Sequence, residues 1–392
     1  MEEARTVSVV GGANIDIVAK SNAIYFPGTS NPGTVTETPG GVGRNIAHML
    51  ALLGVEVEPY SVVGDDSSGK LILDSARTAG IRTDSVLITD EEKTGQYVAV
   101  QDADGTLASA VSDMRAMELL TPELLEQHRE RLQASRMIVT DTNIPDKSLL
   151  WLSELSASLS IPLYVEPVSK EKTGKLRSLP QPAEWISPSE KEFLELFRLP
   201  KRGFETLILS MEEKPGVPLR LAATANRNSR PSKNLLVTLG RRGVVHMRLE
   251  CDDLECEDME TGKATLDSAP SVYAPNNSIS SNSTGRAGAD SPAAGEETKN
   301  IPGERVDAGD GAGIWCGNMY RPYSVEVIND NGAGDAFFAG FIAGRWHGKS
   351  QEESIYYGLA AAARVVRCPD AVDEDLNFDE LSSYISTHET RD

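Results

Sequence analysis

From residue 137 onward the chain alternates short apolar runs with helix-period segments. MIVTD precedes a helical stretch near 146–158, IPLYVEP follows it, WISPS leads into a second helical stretch over 189–197, and LLVTLG (235–240) and GVVHMRL (243–249) come later. Short apolar runs without polar alternation are strands covered on both faces, and strands separated by helices pair in parallel through crossovers. The alternation therefore restricts the chain to an α/β fold, a mostly parallel sheet flanked by helices. The rest of the sequence extends it. TVSVVGG (6–12) reads as a first strand ending in a glycine turn. Residues 45–53 place Ile46, Met49, Leu50 and Leu53 on one helical face. Further helices are expected around 67–79, over 121–134 with Thr121 as cap and Pro122 at its first position, and over 335–346 and 351–366, which close the chain.

Two segments depart from the pattern. Residues 17–38 mix short apolar pieces with Pro, Gly, Ser and Thr, and residues 94–111 alternate around Asp104-Gly105, a hairpin signal. Both are expected in a small separate β-sheet. Residues 251–313 are rich in Asp, Glu, Ser, Asn, Gly and Ala, too polar to offset the entropy of ordering, and read as a disordered insert. Residues 211–233 read as a smaller loop of the same kind, and 1–392 as a single domain carrying both.

Lys and Arg total 38 against 59 Asp and Glu, a formal charge of −21 that opposes binding to nucleic acid or an anionic membrane. A small-molecule substrate is the better expectation, and an anionic one would need a helix N-terminus or a cation to hold it. The four cysteines, at 251, 256, 316 and 368, have neither CxxC nor zinc spacing, as in a reducing compartment. No apolar run is long enough to span a bilayer, and MEEARTVSVVGG lacks the features of a signal or transit peptide; the cytoplasm is the expected location.

The sharpest chemical feature is Asn331-Gly332-Ala333-Gly334-Asp335 followed by AFFAGFIAG. It reads two ways: a glycine turn with an Asp cap, or an anion hole of backbone N–H groups at a helix start with Asp335 poised to take a proton from an attacking hydroxyl. Pro39-Gly40-Gly41-Val42-Gly43-Arg44-Asn45 opens the early helix, either as a capped turn or as a place where substrate approaches the backbone and the Asn45 amide meets its hydroxyls. Arg44 is read as a surface or salt-bridged side chain. Asn14 and Asp16 follow the first strand, and Asp16 reads either as a turn residue or as an acceptor of both hydrogen bonds of a vicinal diol. Glu190 and Glu192 lie at a helix start, where the dipole alone favours acids. Gly309-Asp310-Gly311-Ala312-Gly313 imitates the later motif but has no apolar helix after it. Neither GxxxxGK[ST] nor a protein-kinase catalytic loop is present.

PGGVGRNIA and NGAGDAFFAGF, in this order at opposite ends of the strand–helix array, resemble the two signatures of the PfkB (ribokinase-like) carbohydrate kinases, and VTLGRRGV (237–244) resembles that family's nucleotide-side strand pair. Within the family, GGVGRNIA, EPVS, WISPSEKE and SDMRAMELLTPELL look most like pseudouridine kinases. The resemblance implies a Rossmann-like core with a small β lid and an ATP-dependent kinase acting on the 5′-hydroxyl of pseudouridine. It implies Asp335 as catalytic base and Gly332, Ala333 and Gly334 as anion hole. Asn14, Asp16, Gly40, Gly41 and Asn45 fall on the ribose, with Thr94, Gln96 and Asn143 as candidates for reading the base. Lys172, Ser189, Thr238, Gly240 and Gly243 fall on the ATP side, and Glu192 on Mg2+. The family also implies a monovalent cation, K+; Asn329-Asp330 stands where the family has Asp-Thr, and Ser189 where it has Asn. A homodimer through the lid rests on the same analogy. Two alternatives stay open: the same chemistry on ribose or another nucleoside, and a catalytically silent PfkB-like binding protein.

Overall fold

A computed structural model describes residues 6–202, 204–205, 208–209, 219–222, 230–250 and 314–388. Fourteen strands are described. They are β1 (Thr6–Val10), β2 (Asn14–Ser21), β3 (Gly33–Gly40), β4 (Val57–Gly64), β5 (Val86–Thr89), β6 (Gly95–Gln101), β7 (Leu107–Asp113), β8 (Ser135–Asp141), β9 (Leu163–Glu166), β10 (Ala183–Ile186), β11 (Leu219–Ala222), β12 (Ser232–Thr238), β13 (Val244–Glu250) and β14 (Ile314–Tyr320). Ten form one sheet in the order β11-β14-β13-β12-β10-β9-β8-β1-β4-β5. From β12 to β5 every neighbour is parallel, and β13, β14 and β11 extend it as an antiparallel edge.

The parallel strands bury both faces, as their unbroken Val, Ile and Leu runs demand. One face packs Val10, Ile138, Val165, Ile186 and Val237 against the helices Asp146–Leu159 and Glu190–Phe197. The other packs Val9, Val139, Tyr164 and Leu236 against the helices Val42–Leu52, Ala333–Trp346 and Gln351–Val365. Ala336, Ala339 and Ala343 are fully buried, and their small side chains let the Ala333–Trp346 helix sit close to its neighbours.

The other four strands form a separate sheet, β3-β2-β6-β7. β2 and β6 run parallel, with Asn14 opposite Gly95, and the outer pairs are antiparallel. This is the lid. Its strands begin earlier than expected, at Asn14, so that the sheet reaches the turn after β1.

Three expectations need correction. The helix expected over 121–134 is two short ones, Pro122–Glu126 and Arg129–Gln133. His128 at the break turns edge-on to Tyr60, ring centroids 5.4 Å apart, a tertiary demand that periodicity does not display. Part of the loop expected over 211–233 is strand: β11 lies in it, and β12 starts at Ser232. A third helix, Phe378–His388, closes the chain; its FDELSSYISTH sequence is polar, and it docks through Leu381, Ile385 and Phe378, which stacks on Tyr357 at 4.5 Å. The expected insert at 251–313 lies outside the described residues. β13 and β14 on either side of it are paired, with Glu250 opposite Ile314.

Candidate active site

The carboxyl ends of β1, β8, β9, β10 and β12 open at one edge of the sheet, where open α/β sheets hold ligands. Asp141, the last residue of β8, organises that edge. It is fully buried. Its Oδ2 accepts from the backbone N–H of Gly12 at 2.9 Å and of Gly43 at 2.8 Å, and its Oδ1 from that of Asn143 at 2.8 Å. The Asn143 amide adds a contact at 3.1 Å. One carboxylate thus ties the turn after β1 to the start of the Val42–Leu52 helix. Sequence reasoning missed Asp141; the available signal was an acid placed at a strand end just before Asn143.

Asn14 and Asp16 lie at the start of β2, and Asn14 Nδ2 donates to Asp16 Oδ1 at 2.7 Å. Gly40, the last residue of β3, pairs opposite Asn14. Gly41 has φ of 96°, and a Cβ there would fall 2.5 Å from the Gly12 carbonyl, so only glycine fits. Burial raises the Asp16 carboxyl above its ordinary range.

Asn45, on the Val42–Leu52 helix, donates through Nδ2 to Asp335 Oδ2 at 2.9 Å. Arg44 fixes that orientation: Nη1 donates to Asn45 Oδ1 and to the Pro39 carbonyl, both at 3.2 Å. Its Nη2 donates to Ser75 Oγ at 2.7 Å and contacts His48 Nδ1 at 2.9 Å. Arginine only donates, so His48 Nδ1 accepts and Nε2–H points to Glu374, 3.0 Å away. Arg44 was expected on the surface or in a salt bridge. It is half-buried at the centre of a relay that runs from Asn45 through His48 to the exposed Glu374, its pKa lowered by burial to about 10 and its charge still held at neutral pH.

Asp335 is the third residue of the Ala333–Trp346 helix. The cap is Gly332, with φ of 77°, so the reading of Asp335 as a helix cap is corrected: its carboxylate is free to face the pocket. Burial, with Asp141, Asp16 and Glu192 nearby, pushes its pKa up to about 7 against the opposing Asn45 hydrogen bond. Of the expected anion-hole residues, Ala333 turns its N–H back to the Asp330 carbonyl at 3.4 Å. Gly334 is exposed, with nothing within 4 Å of where a Cβ would project.

Across the crevice, Thr238 ends β12 and donates its N–H to the Pro188 carbonyl at 2.9 Å. Gly240 opens the single turn Gly240–Arg242, and Gly243 closes it. Ser189 caps the Glu190–Phe197 helix and shares a capping box with Glu192, whose Oε2 accepts from Ser189 N at 2.7 Å. Glu192 is buried, and its second oxygen is a donor of the hard type Mg2+ takes. Among the described residues no three His, Cys, Asp or Glu side chains form a metal cluster. Lys172 Nζ donates to Asn143 Oδ1, placing both beside Asp141, and burial lowers its pKa.

Thr94 is buried, its hydroxyl donating to Asp66 Oδ1 at 2.7 Å and accepting from Gly64 N at 2.9 Å, so its one proton is spent on anchoring the lid and one acceptor lone pair is left. Gln96 lies on β6 opposite Ile15. Asn329, at the position of the expected cation site, donates to the Pro369 carbonyl at 2.7 Å and accepts from Asn331 N at 3.0 Å. Glu166, at the end of β9, opens the EPVS segment and was given no role from the sequence. It is buried, its Oε2 with no hydrogen-bond partner, and the Ser187 hydroxyl just past β10 lies close enough to bear on its charge.

No described helix is long and apolar enough to cross a membrane. The chain is 37% identical to a pseudouridine kinase of Escherichia coli (strain K12) over 192 residues, 49% of this chain and 61% of that protein. It is 30% identical to a guanosine-inosine kinase of Exiguobacterium acetylicum over 158 residues, 40% of this chain and 52% of that one. The matches thus span roughly half to three fifths of these relatives' lengths. The structure of Arabidopsis thaliana ribokinase complexed with ribose and ATP superposes with a TM-score of 0.67 at 20% identity, covering 97% of this chain and 98% of that one, a likeness of fold. A model of the pfkB family of carbohydrate kinases matches residues 4–263 and 316–376, and with two signature motifs meeting at one crevice the chain belongs to that family.

Proposed function

We propose that this protein transfers the γ-phosphoryl group of ATP to the 5′-hydroxyl of pseudouridine. The observation that carries the reading is the Asn45–Asp335 hydrogen bond, which joins the two motifs and sets a carboxylate of pKa about 7 at a helix N-terminus. A base poised near neutrality can take the hydroxyl proton and still be regenerated. Asn14, Asp16 and Asn45 offer donors and acceptors to the ribose, with the Gly40-Gly41 backbone beside them. The Asp335 carboxylate removes the 5′-hydroxyl proton, and the N–H groups of Gly332 and Gly334 and the helix dipole face the oxygens of the transferred group. Thr238, Gly240 and Gly243 line the ATP side, Ser189 and Glu192 lie between, and Lys172 with Asn143 adds positive charge next to Asp141. Glu192 would hold Mg2+, which would supply neutralisation of the phosphate charge.

Pseudouridine differs from uridine by an extra N–H on the base edge. A buried partner for it left unpaired costs about 1–3 kcal/mol, or roughly 5–150-fold. ATP consumption measured side by side is expected to show kcat/KM for pseudouridine at least about fivefold above uridine and ribose on that estimate. The likeness to a guanosine-inosine kinase favours a second reading, a purine nucleoside acceptor, and guanosine and inosine belong in the same assay. Preference for any of these moves the substrate and keeps the kinase; no ATP turnover with any acceptor removes both. A second copy pairing through the lid, whose Val35 and Val111 are exposed, is read by light scattering.

A further inference from the structure

The segment between the last two described helices, residues 366–377, touches both motifs of the crevice. On one side it backs the glycine turn that starts the Ala333–Trp346 helix. The Val366 carbonyl accepts from Ile328 N at 2.7 Å and the Pro369 carbonyl from Asn329 Nδ2 at 2.7 Å, and a Cβ on Gly332 would fall 2.3 Å from the Ala371 carbonyl. On the other side Glu374 reaches the Val42–Leu52 helix, its Oε2 lying 3.0 Å from His48 Nε2. The chain on either side of Glu374 is pinned: buried Asp373 accepts from Arg364 Nε at 2.9 Å and from Asp375 N at 3.1 Å. His48 is 2% exposed, and Glu374 is 67% exposed.

The partners of His48 leave it one protonation state. Arg44 Nη2, 2.9 Å from Nδ1, can only donate, so Nδ1 carries a lone pair and the proton sits on Nε2, toward Glu374. A second proton on Nδ1 would face the guanidinium, and burial together with that positive charge lowers the His48 pKa against the pull of Glu374. The same guanidinium donates Nη1 to Asn45 Oδ1 at 3.2 Å, which leaves Asn45 Nδ2 to meet Asp335 Oδ2 at 2.9 Å. We propose that His48 is a positioning residue of the transfer step: its neutral Nδ1 seats the Arg44 guanidinium, and through it the Asn45 amide that faces Asp335. Ser75 Oγ and the Pro39 carbonyl also hold the guanidinium, so losing His48 loosens it without releasing it. The charges facing Arg44 are Glu374 and Asp16, and those facing Asp335 are Asp141, Asp16, Glu192 and Glu166. As carboxylates these only accept, so none can replace the guanidinium in orienting the amide. The proposal rests on the kinase reading and adds to it a residue that stands behind both motifs.

The test compares full-length wild type, His48→Phe, His48→Asn, Arg44→Met and the double variant Arg44→Met/His48→Phe. His48→Phe keeps a ring and removes the acceptor. It is expected to lower kcat/KM about 2–10-fold, the range of one hydrogen bond, and to move the acid limb to higher pH, because Asn45 favours the charged form of Asp335. His48→Asn, whose Oδ1 can stand in for Nδ1, is expected to regain most of the loss. In the Arg44→Met background His48→Phe is expected to add nothing, since it acts through the arginine. A wild-type rate and limb in His48→Phe, or an undiminished further loss in the Arg44→Met background, overturns the proposal and leaves the kinase reading standing. A wild type that turns over ATP with no acceptor removes the kinase reading and the proposal together. Nitrogen-15 NMR of labelled histidines reads the ring without any turnover, the His48 signals being those lost in His48→Phe. The neutral Nε2–H tautomer is expected between about pH 6 and 8, and an Nδ1–H tautomer or a charged ring overturns the proposal. Should His48→Phe fail to fold, His48→Asn identifies the same signals and the tautomer decides.

Discussion

The two sides of the crevice are built differently. On the side of β1, β2 and the Val42–Leu52 helix, the functional side chains already hold one another, with Arg44 Nε left over: Asp141 holds two main-chain turns, Asn14 holds Asp16, and Arg44 holds Asn45, which holds Asp335. On the side of β9, β10 and β12, Glu166 and Ser187 carry unpaired oxygens, and Gly240 and Gly334 face open space. A network closed on itself fixes geometry before a ligand arrives, while unpaired groups wait for a ligand to complete them. The proposed sugar side is thus preorganised, and the proposed nucleotide side gains its last partners on binding.

The comparison breaks first at Asp335. Asp335→Asn is expected to lower kcat by about 10²–10⁴-fold, as loss of a general base does, with the fold retained. Stability gives an independent sign. A carboxyl whose pKa is raised on folding from 3.8 to about 7 makes the wild type lose stability as pH rises between those values. The melting temperature of Asp335→Asn relative to wild type is therefore expected to rise from pH 4 to pH 8; a constant difference would show that the carboxyl is not perturbed.

The same group sets the pH dependence. The base works deprotonated, so kcat/KM is expected to fall as pH drops through about 7, close to tenfold per unit below it. The limb in kcat lies at lower pH if a bound cation adds positive charge. A kcat/KM limb near pH 4 would assign the proton transfer elsewhere.

Arg44 sharpens the contrast on the closed side. Arg44→Met frees the Asn45 amide to rotate, and a hydrogen bond from a charged donor is worth about 1.5–3 kcal/mol. A loss of about tenfold in kcat/KM is expected, with the acid limb displaced to higher pH, because Asn45 favours the charged form of Asp335. Arg44→Lys should lose less. An unmoved limb would make the arginine purely structural.

The smallest effect is expected from the chain between the two paired strands β13 and β14. Glu250 and Ile314 are register partners, so a short turn can join the strands. Deleting residues 255–310 is expected to leave turnover within about twofold, since loop length carries little free energy. Loss of soluble protein would show that this segment contributes to the fold.

The sequence by itself determined the architecture and the two glycine turns. Buried parallel strands read as unbroken apolar runs, helices as 3.6-residue periods, and glycines at tight turns as local necessities, all decided within a dozen residues. It also singled out Asn45 and Asp335, which the fold joins across 290 residues. Tertiary structure alone decided what surrounds them. Asp141 and Glu166 are ordinary strand-end acids until the sheet aligns their strands at one edge. Arg44 is an ordinary helical arginine until His48 meets Glu374, 326 residues away. Thr94 has the polarity of a ligand-reading residue, and packing commits its hydroxyl proton to Asp66. Local pattern shows which residues could act; burial and long-range partners decide their charge, their orientation and whether any hydrogen-bonding capacity is left.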